Sequence, residues 1–255
     1  MQRESRGAVQ SVSRAFEVLE TLAEHGPLTL SRLATESGLP LSTVHRLVGS
    51  LGALGYVRVG ADKRYMLAPR LIHLGERSAR TLSRWAVPHL APLVDELGET
   101  ANLAMLDGDH VVYVAQVPSR HSMRMFTEVG QHVLPHCTAV GKALLAELSG
   151  AEVGSRVRRT GLPARTERTL TTLEDLDAEL EKVRTRGYAV DDGEQEVGVR
   201  CVAVAVRDSV LPLAMSVSGP ATRLTDEVVE RAVPALRAAT EALARDLSGS
   251  GRPAG

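Results

Sequence analysis

Two groups of residues in this chain have types and spacing that could do chemistry. Ser42, Thr43, His45 and Arg46 fall within one helical turn and a half, and Lys63 and Arg64 follow beyond a glycine. Short hydroxyls and a guanidinium on one helix face are what base edges and phosphates accept. A forked Arg suits guanine or a phosphate, and hydroxyls near a helix start suit phosphate or base-edge contact. Lys63 and Arg64, at a hairpin tip, would reach a minor groove or a neighbouring phosphate. The second group comprises Asp191, Cys201, Ser216 and Ser218, with Thr138-Ala139-Val140-Gly141 entering a helix. Ser216 and Ser218 alternate with Met215 and Val217, so on a strand their hydroxyls share a face. Unpaired N–H groups at a helix start favour an anion, and a carboxylate ligand suits them. Plainer readings stand beside both. The first group is also what a solvated surface looks like. In the second, Cys201 reads equally as a small core residue, the serines as hydroxyls satisfied by backbone, and Asp191 with Asp192 as a turn, with Glu194 and Glu196 in a solvated loop.

The elements around the first group are legible. Val9, Val12, Phe16, Leu19 and Leu22 recur at helical spacing, and Gly26-Pro27 ends that helix. Thr29 is an N-cap for a second helix with Leu30, Leu33 and Ala34 on its inner face, broken by Gly38. A third helix turns Leu41, Val44, Leu47, Val48, Leu51 and Leu54 inward and Ser42, Thr43, His45, Arg46 and Ser50 outward, until Gly55. Tyr56 to Val59, a Gly60–Lys63 turn, and Arg64 to Leu67 complete a hairpin. That order predicts a winged helix-turn-helix. Charge agrees: residues 1–70 carry nine Lys and Arg against six Asp and Glu, and the remainder 21 against 25.

A helical stretch then runs from about Pro69 to Leu97, where Pro88 and Pro92 predict a kink or a split. Its first part, to Arg84, reads as a linker helix. From Thr100 the period changes to that of strands: 102–106, His110 to Val117, and Met123 to Glu128. Helices follow near Ala139–Leu148 and Leu173–Arg186, then strands from Gly187, at Val199–Val206 and at Leu213–Val217. Thr225 caps a long final helix. The expected class is α+β: a winged helix-turn-helix over 1–68, a linker helix over 69–84, and an antiparallel sheet flanked by helices over 85–247. The Gly/Ser/Pro tail 248–255 is expected to be disordered.

Several function classes lose ground. No apolar run approaches bilayer length, and the polar N-terminus is not expected to be a signal peptide, so no membrane role is expected. Cys137 and Cys201 are the only cysteines, outside any CxxC, which suits a reducing cytoplasm. G-x-S-x-G, P-loop and dinucleotide fingerprints are absent. His121, His132, His136 and Cys137 do not match a structural zinc spacing. Neither an enzyme, nor a cofactor, nor a metal site is therefore expected. Two alternatives stay open: an enzyme with a DNA-binding appendage using Cys137 or Cys201, and a module whose winged helix docks only protein.

S-R-A-F-E-V-L-E-T-L from Ser13 and L-P-L-S-T-V-H-R-L from Leu39 resemble the IclR family of bacterial transcription regulators. So do L-P-H-C-T-A-V-G-K-A-L-L-A from Leu134, R-G-Y-A-V-D-D-G-E from Arg186, V-G-V-R-C-V-A-V-A-V from Val197 and S-V-S-G-P-A-T-R-L from Ser216. The resemblance covers nearly the whole chain in order. It implies a GAF-like effector domain, a dimer or tetramer on palindromic operator DNA, and a small-molecule effector bound at the sheet. Within the family, G-E-T-A-N-L-A from Gly98, S-M-R-M from Ser122 and S-G-P-A-T-R-L-T from Ser218 resemble allantoin-pathway repressors that respond to glyoxylate or allantoin. That resemblance places the effector site on Leu134, Ala139, Val140, Asp191, Cys201, Ser216 and Ser218. Two departures accompany it: Ala139-Val140 replaces a smaller Gly-Ala pair, and the turn between Val206 and Leu213 is shorter.

Overall fold

The computed structural model describes residues 9–124 and 128–249 and divides the chain into two compact units, Met1–Ser78 and Ala79–Gly255.

In the first unit, α1 (Gln10–His25), α2 (Leu30–Ser37) and α3 (Leu41–Ala53) precede a hairpin of β1 (Val57–Val59) and β2 (Tyr65–Leu67). Each boundary has a local cause. Thr29 caps α2 by accepting from the Arg32 N–H, and Gly38 ends it in the left-handed conformation, φ +64°. Pro40 precedes α3, whose first turn has no side-chain cap. Val18, Leu19 and Leu22 of α1, Leu33 of α2, Val44, Val48 and Leu51 of α3 and Val57 of β1 form the core. Leu33 is fully buried, and truncating such a residue to alanine costs about 2–5 kcal/mol. The inward stripe of α3 is narrower than the sequence predicts. Leu41 and Leu54 are 52% and 56% exposed, because they stand at the two ends of the helix, past the reach of the three-helix core. Val9, Val12 and Phe16 are exposed as well, leaving Val18, Leu19 and Leu22 to anchor α1.

α4 (Arg70–Leu97) runs as one helix through Pro88 and Pro92, so the split is absent. Both prolines face solvent, whereas Ala86, Leu90, Leu93, Val94 and Leu97 are buried on the opposite side. Each proline removes one backbone hydrogen bond, and burial of the apolar face outweighs that loss. No helix end marks the boundary expected at Arg84.

The second unit is built on a six-stranded antiparallel sheet, counted among the described residues, in the order β5-β4-β3-β8-β7-β6. These are β3 (Thr100–Asp107), β4 (His110–Val117), β5 (His132–Val133), β6 (Ala189–Asp192), β7 (Val199–Ala205) and β8 (Leu213–Pro220). One face meets the second half of α4 and α8 (Asp226–Gly249) through Ala101, Leu103, Val202, Val204, Met215 and Val217. The other face meets α5 (Ala139–Ala146), α6 (Gly150–Thr160) and α7 (Leu173–Arg186) through Ala104, Leu106, Val111, Ala189, Cys201, Ala203 and Ala214. The α+β class expected from the sequence is therefore present. The strand expected over Met123–Glu128 is not found at Met123, Arg124 or Glu128, and 125–127 lie outside the described residues. β5 pairs with β4 in its place, Val111 opposite Val133. α6 was not foreseen, although Ser149 and Glu152 form a reciprocal capping box at its start. α8 extends to Gly249, so Ser248 and Gly249 of the expected tail are helical, and 250–255 lie outside the described residues. Among the described residues no helix is long and apolar enough to cross a membrane.

Candidate functional site

The first candidate surface follows from the exposed side of α3. Val44, Val48 and Leu51 hold one face in the core, which turns Ser42, His45 and Arg46 to solvent, with Thr43 half-buried. Arg46 forms no ion pair among the described residues, so its guanidinium is free to meet an anion. The Thr43 N–H is taken by the Pro40 carbonyl (2.8 Å), leaving the earliest N–H groups of α3 pointing off the helix end. The wing tip is a separate patch. Its turn closes by Gly60 N–H donating to the Arg64 carbonyl (2.8 Å), with Lys63 in the left-handed conformation, φ +60°. Asp62 partly neutralises Arg64 at 3.4 Å, while Lys63 stays unpaired among the described residues. Between α3 and the wing runs a groove of about 440 Å³ lined by His45, Gly49, Gly52, Arg58 and Tyr65. Arg58 lies outside the residues that the helix pattern singles out. Its alternation with Val57 and Val59 was the available signal for an outward position.

The second candidate site lies within the core of the sheet unit. Strand register sets Asp191 of β6 opposite Cys201 of β7, and Cys201 opposite Ser218 of β8. These three form one row across the sheet. Ser216 is in the next row, opposite Ala203 and Asn102. Ala139 and Val140 belong to the cluster that covers this face, and both are fully buried. Leu134 is half-buried at the entry. Its carbonyl accepts from the Thr138 hydroxyl (3.2 Å), and the Thr138 hydroxyl in turn caps α5 by accepting from the Gly141 N–H (3.2 Å). Gly141 is needed here because any Cβ would overlap the Pro135 backbone, which lies against the first turn of α5.

The row is embedded in polar partners that the sequence did not single out. Gln116 donates to Asn102, and Asn102 donates to both serines. Lys142, 1% exposed on α5, pairs with buried Glu194. Removing one partner of such a pair costs about 3–5 kcal/mol. The other Glu194 oxygen, Oε2, is buried with no hydrogen-bond partner among the described residues. Asp191 Oδ1 accepts from the Glu194 N–H (2.7 Å), and Thr169 Oγ1 donates to the Glu194 carbonyl (2.7 Å), so this loop is pinned over the row. Cys137 Sγ donates to Gln195 Oε1 (2.8 Å).

Burial governs the titration of these groups. It pushes the Asp191 carboxyl up to about 7, against the Glu194 N–H and the Lys142 charge, which favour ionisation. Burial likewise holds the Tyr113 hydroxyl neutral, reinforced by Cys201, Asp191 and Cys137 nearby. Both cysteines are pushed up to about 12, chiefly by burial, with Asp191 adding to it. A nucleophilic cysteine must be a thiolate near neutral pH. Here Cys137 and Cys201 are thiols, and His136 turns Nε2 to the Pro163 carbonyl (3.2 Å) and not to Cys137. The geometry gives no support to the enzyme alternative.

A winged helix followed by this sheet also carries the sequence marks of one family. Residues 11–60 match the IclR helix-turn-helix domain, and residues 78–245 match the bacterial transcriptional regulator IclR C-terminal domain. The chain belongs to the IclR family of bacterial transcriptional regulators. It is 37% identical over 244 residues to the transcriptional repressor IclR of Escherichia coli, covering 92% of this chain and 89% of that one. A solved IclR-type regulator from Alicyclobacillus acidocaldarius has 31% identity and a TM-score of 0.79, covering 93% of this chain and 98% of that one. An IclR homolog from Microbacterium hydrocarbonoxydans, complexed with 4-hydroxybenzoate, has 27% identity and a TM-score of 0.74, covering 94% and 99%. The first two of these are named as a transcriptional repressor and a transcriptional regulator. Their names carry neither allantoin nor glyoxylate, so the narrower resemblance to the allantoin branch is not supported beyond the family.

Proposed function

We propose that this IclR-family regulator is a repressor of a catabolic operon whose operator binding is changed by a small organic acid or ureide. Residues 1–68 read the operator through Ser42, Thr43, His45 and Arg46, with Lys63 and Arg64 on the flanking backbone. Residues 69–84 link, and 85–247 sense the effector. The observation that carries this reading is the buried row Asp191–Cys201–Ser218. A sheet interior gains little from polar side chains unless they serve a ligand or one another. Leu134, Ala139, Val140 and Ser216 complete the site. The 4-hydroxybenzoate held by the Microbacterium hydrocarbonoxydans homolog is a small carboxylate, which suits such a site. Glyoxylate and allantoin come from the motif resemblance. The protein acts as a dimer or tetramer, as the exposed Val9, Val12, Phe16, Ile72 and Leu74 suggest, on paired half-sites.

An effector shifts operator affinity only if it binds one arrangement of the oligomer more tightly than another. A thermal-shift screen with acetate, pyruvate, glyoxylate, allantoin and 4-hydroxybenzoate tests the sensing half. A true effector raises the melting temperature. Gel shift on the DNA upstream of the protein's own gene tests the reading half. Salt-sensitive, sequence-selective binding that the same compound alters is the expected result. Absence of selective binding at all concentrations contradicts it.

A further inference from the structure

The sheet face at the candidate effector site carries a chain of hydrogen bonds with a direction. Gln116 Nε2 of β4 donates to Asn102 Oδ1 of β3 (3.0 Å). Asn102 Nδ2 then gives its two hydrogens to Ser216 Oγ (3.3 Å) and Ser218 Oγ (3.0 Å) of β8. Asn102 and both serines are buried. A serine hydroxyl has one hydrogen and two lone pairs. With a lone pair engaged by Asn102, each serine still has its hydrogen to donate. The Ser216 hydroxyl lies beside the Cys201 thiol. The Ser218 hydrogen has no acceptor among the described residues, although the side chain is only 5% exposed. A buried donor without an acceptor is costly, and its natural remedy is a ligand.

We infer that Gln116 and Asn102 are positioning residues that hold the Ser218 hydroxyl as a hydrogen-bond donor, so the site selects ligands presenting acceptors, ionised carboxylates over the matching amides and ureides. The inference rests on the effector reading given above and narrows it. Neighbouring groups point the same way. Asp191, in the same row, keeps its proton well above the ordinary carboxyl range and can donate it near neutral pH. The first-turn N–H groups of α5 are donors too. A carboxylate meets hydrogens at Ser218, at protonated Asp191 and at the start of α5. An amide brings its NH₂ against them, or loses one bond by turning away.

The relay can be reversed without touching the row. Gln116 is half-buried on β4, and Gln116→Glu removes the hydrogen that fixes Asn102. Asn102 then turns its NH₂ toward the introduced carboxylate and its Oδ1 toward the serines. The Ser218 hydrogen follows, leaving a lone pair for the ligand. Asn102→Asp reaches the same state by another route. The experiment is isothermal titration calorimetry on the full chain with matched pairs: benzoate and benzamide, 4-hydroxybenzoate and 4-hydroxybenzamide, glyoxylate and glyoxylamide. The unsubstituted protein is expected to bind a carboxylate at least about tenfold more tightly than its amide. Gln116→Glu and Asn102→Asp should each shrink that ratio by about tenfold, a change that simple loosening of the fold would not produce. A ratio that is the same in all three proteins overturns the orientation and leaves the effector reading standing. Failure of every pair to bind the unsubstituted protein overturns both.

Discussion

The winged-helix unit keeps its candidate residues outside the core, whereas the sheet unit builds them into it. Ser42, His45, Arg46 and Lys63 are exposed, and their neighbours would fold the same way without them. Asp191, Cys201, Ser216 and Ser218 are buried and bound into a network with Asn102, Gln116, Lys142 and Glu194. Function and stability are therefore separable in the first unit and coupled in the second. A surface reader can change its contacts at little structural cost. A buried sensor cannot, and its polar groups must satisfy one another before they serve a ligand.

The largest effect is expected from breaking the buried pair. Lys142→Met leaves Glu194 buried without its partner, and should lower the stability of the sheet unit by about 3–5 kcal/mol. Urea denaturation followed by tyrosine and tryptophan fluorescence measures it. A loss below about 1 kcal/mol, the range of exposed pairs, would erase the contrast between the units.

Asp191→Asn should act in the opposite direction, and more strongly at higher pH. Asp191 packs among Lys142 of α5, Cys137 before it, Glu194, Cys201 of β7 and Tyr113 of β4. Its folded-state carboxyl is raised from 3.8 to about 7, so the folded state holds a proton that the unfolded state has released. Stability contributed by this group therefore falls as pH rises between those values, then levels off. At the limit the cost is about 4 kcal/mol, since each unit is worth about 1.4. Asp191→Asn removes it, and melting curves should show a larger gain at pH 8 than at pH 5. Equal effects at both would place the carboxyl in an ordinary environment.

In the winged-helix unit, Arg46→Ala should cost about 1–3 kcal/mol in operator affinity with the melting temperature unchanged. A fall in both would make Arg46 part of the fold. Lys63→Ala is the smallest change. It should weaken binding evenly across sequences and reduce the slope of log affinity against log salt by about 1.

The same contrast explains what the sequence revealed. Thr29, Gly38 and the Val44, Val48, Leu51 stripe are local signals, so the winged helix and its outward residues could be read directly. The sheet class was legible from strand periods, and Ser216 with Ser218 from simple alternation. The row Asp191–Cys201–Ser218 came from family resemblance, because cross-strand register joins residues far apart in the chain. Asn102, Gln116 and Lys142 escape notice for the same reason, and Glu194, which reads as part of a solvated loop, is buried against Lys142. Asn102 looks like one polar residue in an apolar strand until β8 is laid beside it. Pro88 and Pro92 do not split α4, because the local penalty is outweighed by the buried face opposite. The Ser149–Glu152 box before α6 was a local signal passed over.

The central claim is that a buried row senses a ligand and an exposed helix reports it. Fluorescence anisotropy of the full chain on its operator tests this most directly, with and without the carboxylate that most raises the melting temperature, for the unsubstituted protein and Ser218→Ala. The account predicts equal operator affinity for both proteins without ligand, and a ligand-dependent change only in the unsubstituted one. A ligand effect of the same size in Ser218→Ala would contradict it.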